Sequence, residues 1–152
     1  MVNTGLNNFE KSLKKTYAWL DDLTKELGYE NNKETYLLFK AVVQSIRDIL
    51  TIERAIHLGE QFPMIIKGFY YENWNPFKNE INDKKMYTFL ALVSKKYQGH
   101  KVVDSVGDIS ITLHFLSKKI SKNEIKEIEA IIPQEIVSFW SVSENYKNNT
   151  RY

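Results

Sequence analysis

The chain has 152 residues, 43% hydrophobic and 26% charged, with a formal net charge of +2, enough for one substantial core and too little charge to call for a polyanionic partner. It contains no cysteine, which excludes disulfides, thiolate metal sites and cysteine nucleophiles. No apolar run approaches the ~20 residues that span a bilayer, and Met1–Asn8 is polar, so neither a membrane span nor a secretory signal is expected and the cytoplasm is the default location.

Taken in order, Phe9, Leu13, Tyr17, Leu20, Leu23 and Leu27 step by three and four, which predicts a first helix with these residues on its core face. Gly28 closes it. A second helix from about Lys33 to Leu50 carries the seam Phe39, Val43, Ile46 and Leu50, widened by Leu38, Val42 and Ile49, so it is expected at the centre. Thr51 is placed to cap a third helix, Ile52 to about Gln61, and Glu53 lies near its positive end. Pro63 reads as the first residue of a short fourth helix through Ile65, Ile66 and Phe69. Four aromatics with Asn73, Asn75 and Pro76 then make a turn over 70–77.

The pattern restarts with Met86, Phe89, Leu90, Val93 and Tyr97, ended by Gly99, and continues in the series Val102, Val106, Ile109, Leu113, Leu116 and Ile120, where Gly107 is a weak spot. Ser121 and Glu124 have the spacing of a capping box, in which each side chain takes the other's backbone amide. A helix through Ile125 and Ile128 follows, and Pro133 redirects the chain into 135–140. The polar tail 144–152 is expected to fray. Short β-branched stretches such as Ile109–Ile111 fall inside longer three-four series, so no strand is predicted.

Thr51, Pro63 and Phe69–Tyr70 recur as Ser121, Pro133 and Phe139–Trp140, all seventy residues on without a gap. Phe39, Val43, Ile46 and Leu50 answer in the same register to Ile109, Leu113, Leu116 and Ile120, and Tyr17, Leu20 and Leu23 to Tyr87, Leu90 and Val93. The expectation is an all-α, single-domain helical bundle over 1–152, built from two tandem four-helix pseudo-repeats of about 9–76 and 79–143.

Gln61–Phe62–Pro63, Lys67–Gly68, Tyr70–Tyr71 and Trp74–Asn75–Pro76 resemble the signature of the bacterial domain family of unknown function DUF2267, roughly Gln-Leu-Pro, Arg-Gly, Tyr-Tyr and Gly-Trp-x-Pro. Ile46–Arg47–Asp48 is similar to its Leu-Arg-Asp element, and Glu124, Pro133 and Trp140 to its closing segment. The likeness runs from about Phe9 to Trp140 and departs at Lys67 for arginine, Asn73 for glycine and Asn123 for glycine. It implies a small all-helical bacterial domain, and no activity follows from it.

The three histidines, His57, His100 and His114, have no pair at metal-ligand spacing; no metal or cofactor is expected, and His114 reads as a half-buried ring bonded to a carbonyl. The pairs Asp21–Asp22, Lys84–Lys85, Lys95–Lys96 and Lys118–Lys119 read as solvated faces, which argues against nucleic acid. No nucleophile, base and acid assemble into a catalytic set, so the sequence leans away from an enzyme. Arg47 reads as a brace on a neighbouring helix end, or as the lining of a polar spot between the repeats. Lys67, Tyr70, Tyr71 and Trp74, with Phe77, form the candidate binding surface, where aromatics beside a cation offer stacking and hydrogen bonds; Tyr70, matched by Trp140, has a structural role as its alternative. The leading reading is a non-enzymatic interaction or regulatory module for a protein or peptide, with a homodimer among its assemblies. The alternative is a small-ligand binder with a pocket between the repeats.

Overall fold

Helix boundaries fall where side-chain chemistry interrupts the backbone pattern. In the computed structural model, which describes residues 5–77, 85–99, 105–138 and 140, α1 (Leu6–Leu27) ends at Gly28. There a φ of 73° lets the glycine N–H reach the Thr24 and Lys25 carbonyls. The Asn31 side chain accepts from the Glu34 amide to start α2 (Asn32–Ile49), and Thr51 accepts from the Arg54 amide at 3.2 Å to start α3 (Ile52–Glu60). Pro63 stands one position before α4 (Met64–Tyr71) as its cap. The remaining helices are α5 (Met86–Lys96), α6 (Ser105–Lys119), α7 (Lys122–Glu129) and α8 (134–138), the last following Pro133. No strand occurs among the described residues.

The central helix is α2, as its wide apolar stripe demands: it packs on α1, α3, α4, α5 and α6, and Leu38, Phe39, Val42, Val43, Ile46 and Ile49 are buried. Around it Trp19 sets its ring edge-on to Phe39, Phe62 and Phe115 at 6.2–6.3 Å. Leu113 and Leu116 of α6, Ile128 of α7 and Ile136 of α8 complete one continuous core. Helix starts are closed by polar side chains from elsewhere. Ser12 Oγ accepts the Ile65 amide of the first turn of α4 at 2.9 Å, and Gln61 Oε1 accepts the Ser121 amide at 3.1 Å.

Five expectations need correction. Phe9, Leu13 and Tyr17 are exposed, while Ser12 and Thr16 face the bundle; the small pair lets α1 approach α4 closely, and Ser12 is spent on the Ile65 amide, so the row of larger side chains is turned outward. The Ser121 capping box is one-sided. Ser121 Oγ takes the Glu124 amide at 3.2 Å, but the Glu124 carboxylate turns to Arg54, and Gln61 replaces it. Gly99 is not the end of α5, which stops before Tyr97; a Cβ on Gly99 would collide with the Tyr97 hydroxyl and the Glu34 carboxylate. Val106 of the α6 series is exposed. Finally, the lysine pairs are not simply solvated: Lys96 pairs with Asp48 at 2.9 Å and Lys118 with Glu26 at 2.7 Å, and Lys119 lies over the Trp19 and Phe115 rings. Expectations placed on His100, Val102, Phe139 and the 144–152 tail fall outside the described residues.

Candidate functional site

Arg47 is the organising residue. It sits in the last turn of α2, 3% exposed, and donates from Nη1 to the Tyr70 carbonyl at 2.7 Å and the Glu72 carbonyl at 3.1 Å. Those carbonyls belong to the frayed end of α4, where intrahelical donors run out, so the guanidinium caps α4 from a neighbouring helix. Its Nε donates to Asp48 Oδ1 at 2.9 Å, and Asp48 in turn holds Lys96 of α5. The charge is thereby compensated in a place where an unpaired one would not survive. Gln44, one turn earlier, donates Nε2 to the Phe69 carbonyl at 2.8 Å. The expected brace is therefore what Arg47 does.

Beside this brace a polar cleft of about 490 Å³ opens between α2, the end of α4 and α5. Lys40, Gln44, Arg47 and Asp48 line it from α2, Glu72 and Asn73 from the turn, and Leu92, Lys95, Lys96 and Gln98 from α5 and the residues just after it. Four cationic side chains face two carboxylates. Arg47 and Lys96 are engaged with Asp48, whereas neither Lys40 nor Lys95 holds a carboxylate among the described residues; Lys40 Nζ lies 5.3 Å from the Tyr36 ring centre. Sequence reading named Arg47 as a brace or as the lining of a polar spot between the repeats, and did not name Lys40, Gln44, Lys95 or Lys96 as lining a site. Gln44 carried a signal, a polar residue beside the apolar seam of the central helix. The lysines carried none, because they converge only when α5 is laid against α2.

The aromatic candidates separate. Tyr70 has no exposed surface and donates its hydroxyl to the Ala55 carbonyl at 2.7 Å, and burial pushes its ionisation well above the usual phenol range; it is a core residue with nothing to offer a partner. Tyr71 and Trp74 are half-buried and stack on each other with ring centres 5.6 Å apart. The Tyr71 hydroxyl reaches the Ile56 carbonyl at 3.3 Å, and its ring crosses α3 at Gly59, where a Cβ would overlap it. Burial, then Glu60, raises the Tyr71 ionisation. Lys67 is half-buried on α4 and does not line the cleft. Arg47 touches this face only through the backbone of the turn. Phe77 is 91% exposed.

Elsewhere the polar groups are structural. His114 Nδ1 lies 3.0 Å from the Trp140 carbonyl, which only accepts, so the proton is on Nδ1. The Tyr29 hydroxyl donates to Asp108 at 2.7 Å, and burial followed by that bond raises its ionisation. Asn73 has a φ of 61°, a left-handed conformation that glycine adopts freely and asparagine tolerates better than other residues. This accounts for the one place in the turn where the chain departs from the Gly-Trp-x-Pro signature.

No curated protein matches the chain. Residues 16–139 match the family described as an uncharacterized conserved protein, DUF2267. That span contains the Arg47 brace, the Tyr71–Trp74 stack and every residue lining the cleft, and the chain belongs to the DUF2267 family.

Proposed function

We propose that the protein is a non-enzymatic binding module, two four-helix units in tandem, that holds a small anionic molecule bearing phosphate or carboxylate groups in the cleft between α2 and α5. The observation that carries this reading is that Lys40 and Lys95 line one cleft together with Gln44 and Arg47. Two ammonium groups without carboxylate partners among the described residues favour a charge of opposite sign, and the Asn73 and Gln98 side chains supply directional hydrogen bonds. The cleft lining contains no histidine, serine or threonine, and Asp48 is tied up by Arg47 and Lys96, so binding without chemistry fits it better than catalysis.

The tandem reading is supported by interactions that recur at the seventy-residue offset. Asp48–Lys96 joins α2 to α5, and the equivalent positions, Lys118 and Glu26, join α6 to α1 with the charges exchanged. Arg54 and Glu124 are themselves equivalent and meet at 3.3 Å, as residues do when they flank a twofold axis. Gln44 and His114 each reach a carbonyl near the end of the last helix of their unit. The units differ on the α2 side of the cleft: Lys40, Gln44 and Arg47 are answered by Ser110, His114 and Ser117, while Lys95 is answered by Lys25, so the α2 cations have no counterpart.

The test is a titration of the labelled protein with inorganic phosphate, pyrophosphate and citrate, followed by amide chemical shifts. Saturable shifts confined to α2, α5 and the 72–74 turn are expected with at least one anion and none with glucose. The Lys40→Ala/Lys95→Ala variant should weaken binding by about tenfold, or ~1.4 kcal/mol, at an unchanged thermal midpoint. Absence of saturable shifts with all three anions refutes the reading. A partner-binding role is favoured by a different feature, the outward row on α1.

A further inference from the structure

Leu6, Phe9, Leu13 and Tyr17 are 60%, 55%, 47% and 56% exposed, and their spacing of three, four and four residues sets them in one row along the first half of α1. The row spans roughly 17 Å of helix at 1.5 Å per residue. Its inner flank is closed by Ser12 and Thr16, buried against the bundle, so the row cannot turn inward without breaking the Ser12 contact to the Ile65 amide. A continuous apolar row held outward in this way marks an interaction surface.

We propose that this row pairs antiparallel with the same row of a second copy, making the chain a twofold homodimer. The row is self-complementary. About an axis near residues 11–12, Leu6 of one copy meets Tyr17 of the other and Phe9 meets Leu13, and each layer occurs twice by symmetry. The charges agree. Glu10 and Lys14 lie one turn apart on the outer flank, both exposed and without an ion pair among the described residues, so the same axis sets Glu10 of each copy beside Lys14 of the other. Lys11 and Lys15 fall on the far side of the helix from the row and stay clear of the contact. The bundle packs on α1 from Ser12 and Thr16 through Leu20 and Leu23, and the row itself stays exposed. An anionic bilayer fits less well, because the row is one residue wide and Glu10 borders it directly. None of these residues lines the cleft, so the dimer stands or falls independently of the ligand reading.

Sedimentation equilibrium on the full chain tests it. The wild type is expected to dimerise in the micromolar range, since the contact is small, and Leu13→Glu should be monomeric with an unchanged helical circular dichroism spectrum. Glu10→Lys and Lys14→Glu should each weaken the dimer about tenfold, because each sets like charges together at both symmetric contacts, and the double exchange should restore it. A wild type that stays monomeric to millimolar concentration overturns the proposal, including the case in which that monomer floats with phosphatidylserine vesicles and Leu13→Glu does not. So does a double exchange that fails to recover association.

Discussion

Arg47 illustrates how one side chain at the residue scale ties three helices together. It fills carbonyls of α4, neutralises Asp48 on its own helix and, through Asp48, holds Lys96 of α5. Arg47→Ala leaves two carbonyls without their donor and Asp48 with Lys96 alone, and a loss of about 3–5 kcal/mol is expected in denaturant unfolding; lysine, with no planar fork, should recover only part of it. The phenols give a pH signature. Burial raises the ionisation of Tyr29 and Tyr70 above the ordinary phenol value near 10. The unfolded chain therefore ionises first, the stabilisation is complete below about pH 10, and it is lost as pH climbs beyond that value. Tyr29→Phe is expected to flatten this alkaline decline while removing the bond to Asp108, which unfolding curves collected from pH 8 to 12 would register.

At the scale of elements, α6 and α1 make a contrast. The α6 seam was legible because Ile109, Leu113, Leu116 and Ile120 are buried as their spacing requires, and Leu113→Ala or Leu116→Ala should cost about 2–5 kcal/mol. An equally regular seam on α1 misled in its first half, since periodicity identifies a face without naming what lies opposite it. The decisive residue there is Ser12, whose hydroxyl meets an amide fifty-three positions away. Ser12→Ala leaves the Ile65 amide buried without an acceptor, and a loss of about 1–3 kcal/mol is expected. Had the row of Phe9 and Leu13 faced the core, that substitution would be nearly silent and Leu13→Ala costly; thermal melts of the two variants separate the arrangements. Capping followed the sequence more closely, at Thr51 and Ser121, because a cap is a contact between residues three apart.

Over the whole molecule, stability rests on one core around α2, with ion pairs at its margin. Asp48–Lys96 and Lys118–Glu26 join helices at positions seventy residues apart with opposite polarity. Writing the first arrangement into the second site, Glu26→Lys with Lys118→Asp, is expected to be tolerated, while each single change costs about 0.2–1 kcal/mol, as exposed pairs do. A double-mutant cycle by urea unfolding measures the coupling. Lack of coupling would remove this pair from the support for two tandem units.

Helix positions, caps and the central place of α2 followed from local chemistry, in which a proline, a glycine or a hydroxyl acts on amides a few residues away. The family resemblance was equally a property of the sequence, and the match over 16–139 shows it. What only the tertiary structure decided are the features made between distant segments. The cleft exists because α5 lies against α2 and puts Lys95 and Lys40 in one lining; the Tyr71–Trp74 stack is half-buried because Gly59 leaves room for it; and the α1 row is exposed because Ser12 and Thr16 won the inner face. Each depends on which surfaces meet, a long-range contact that side-chain periodicity along one helix does not encode.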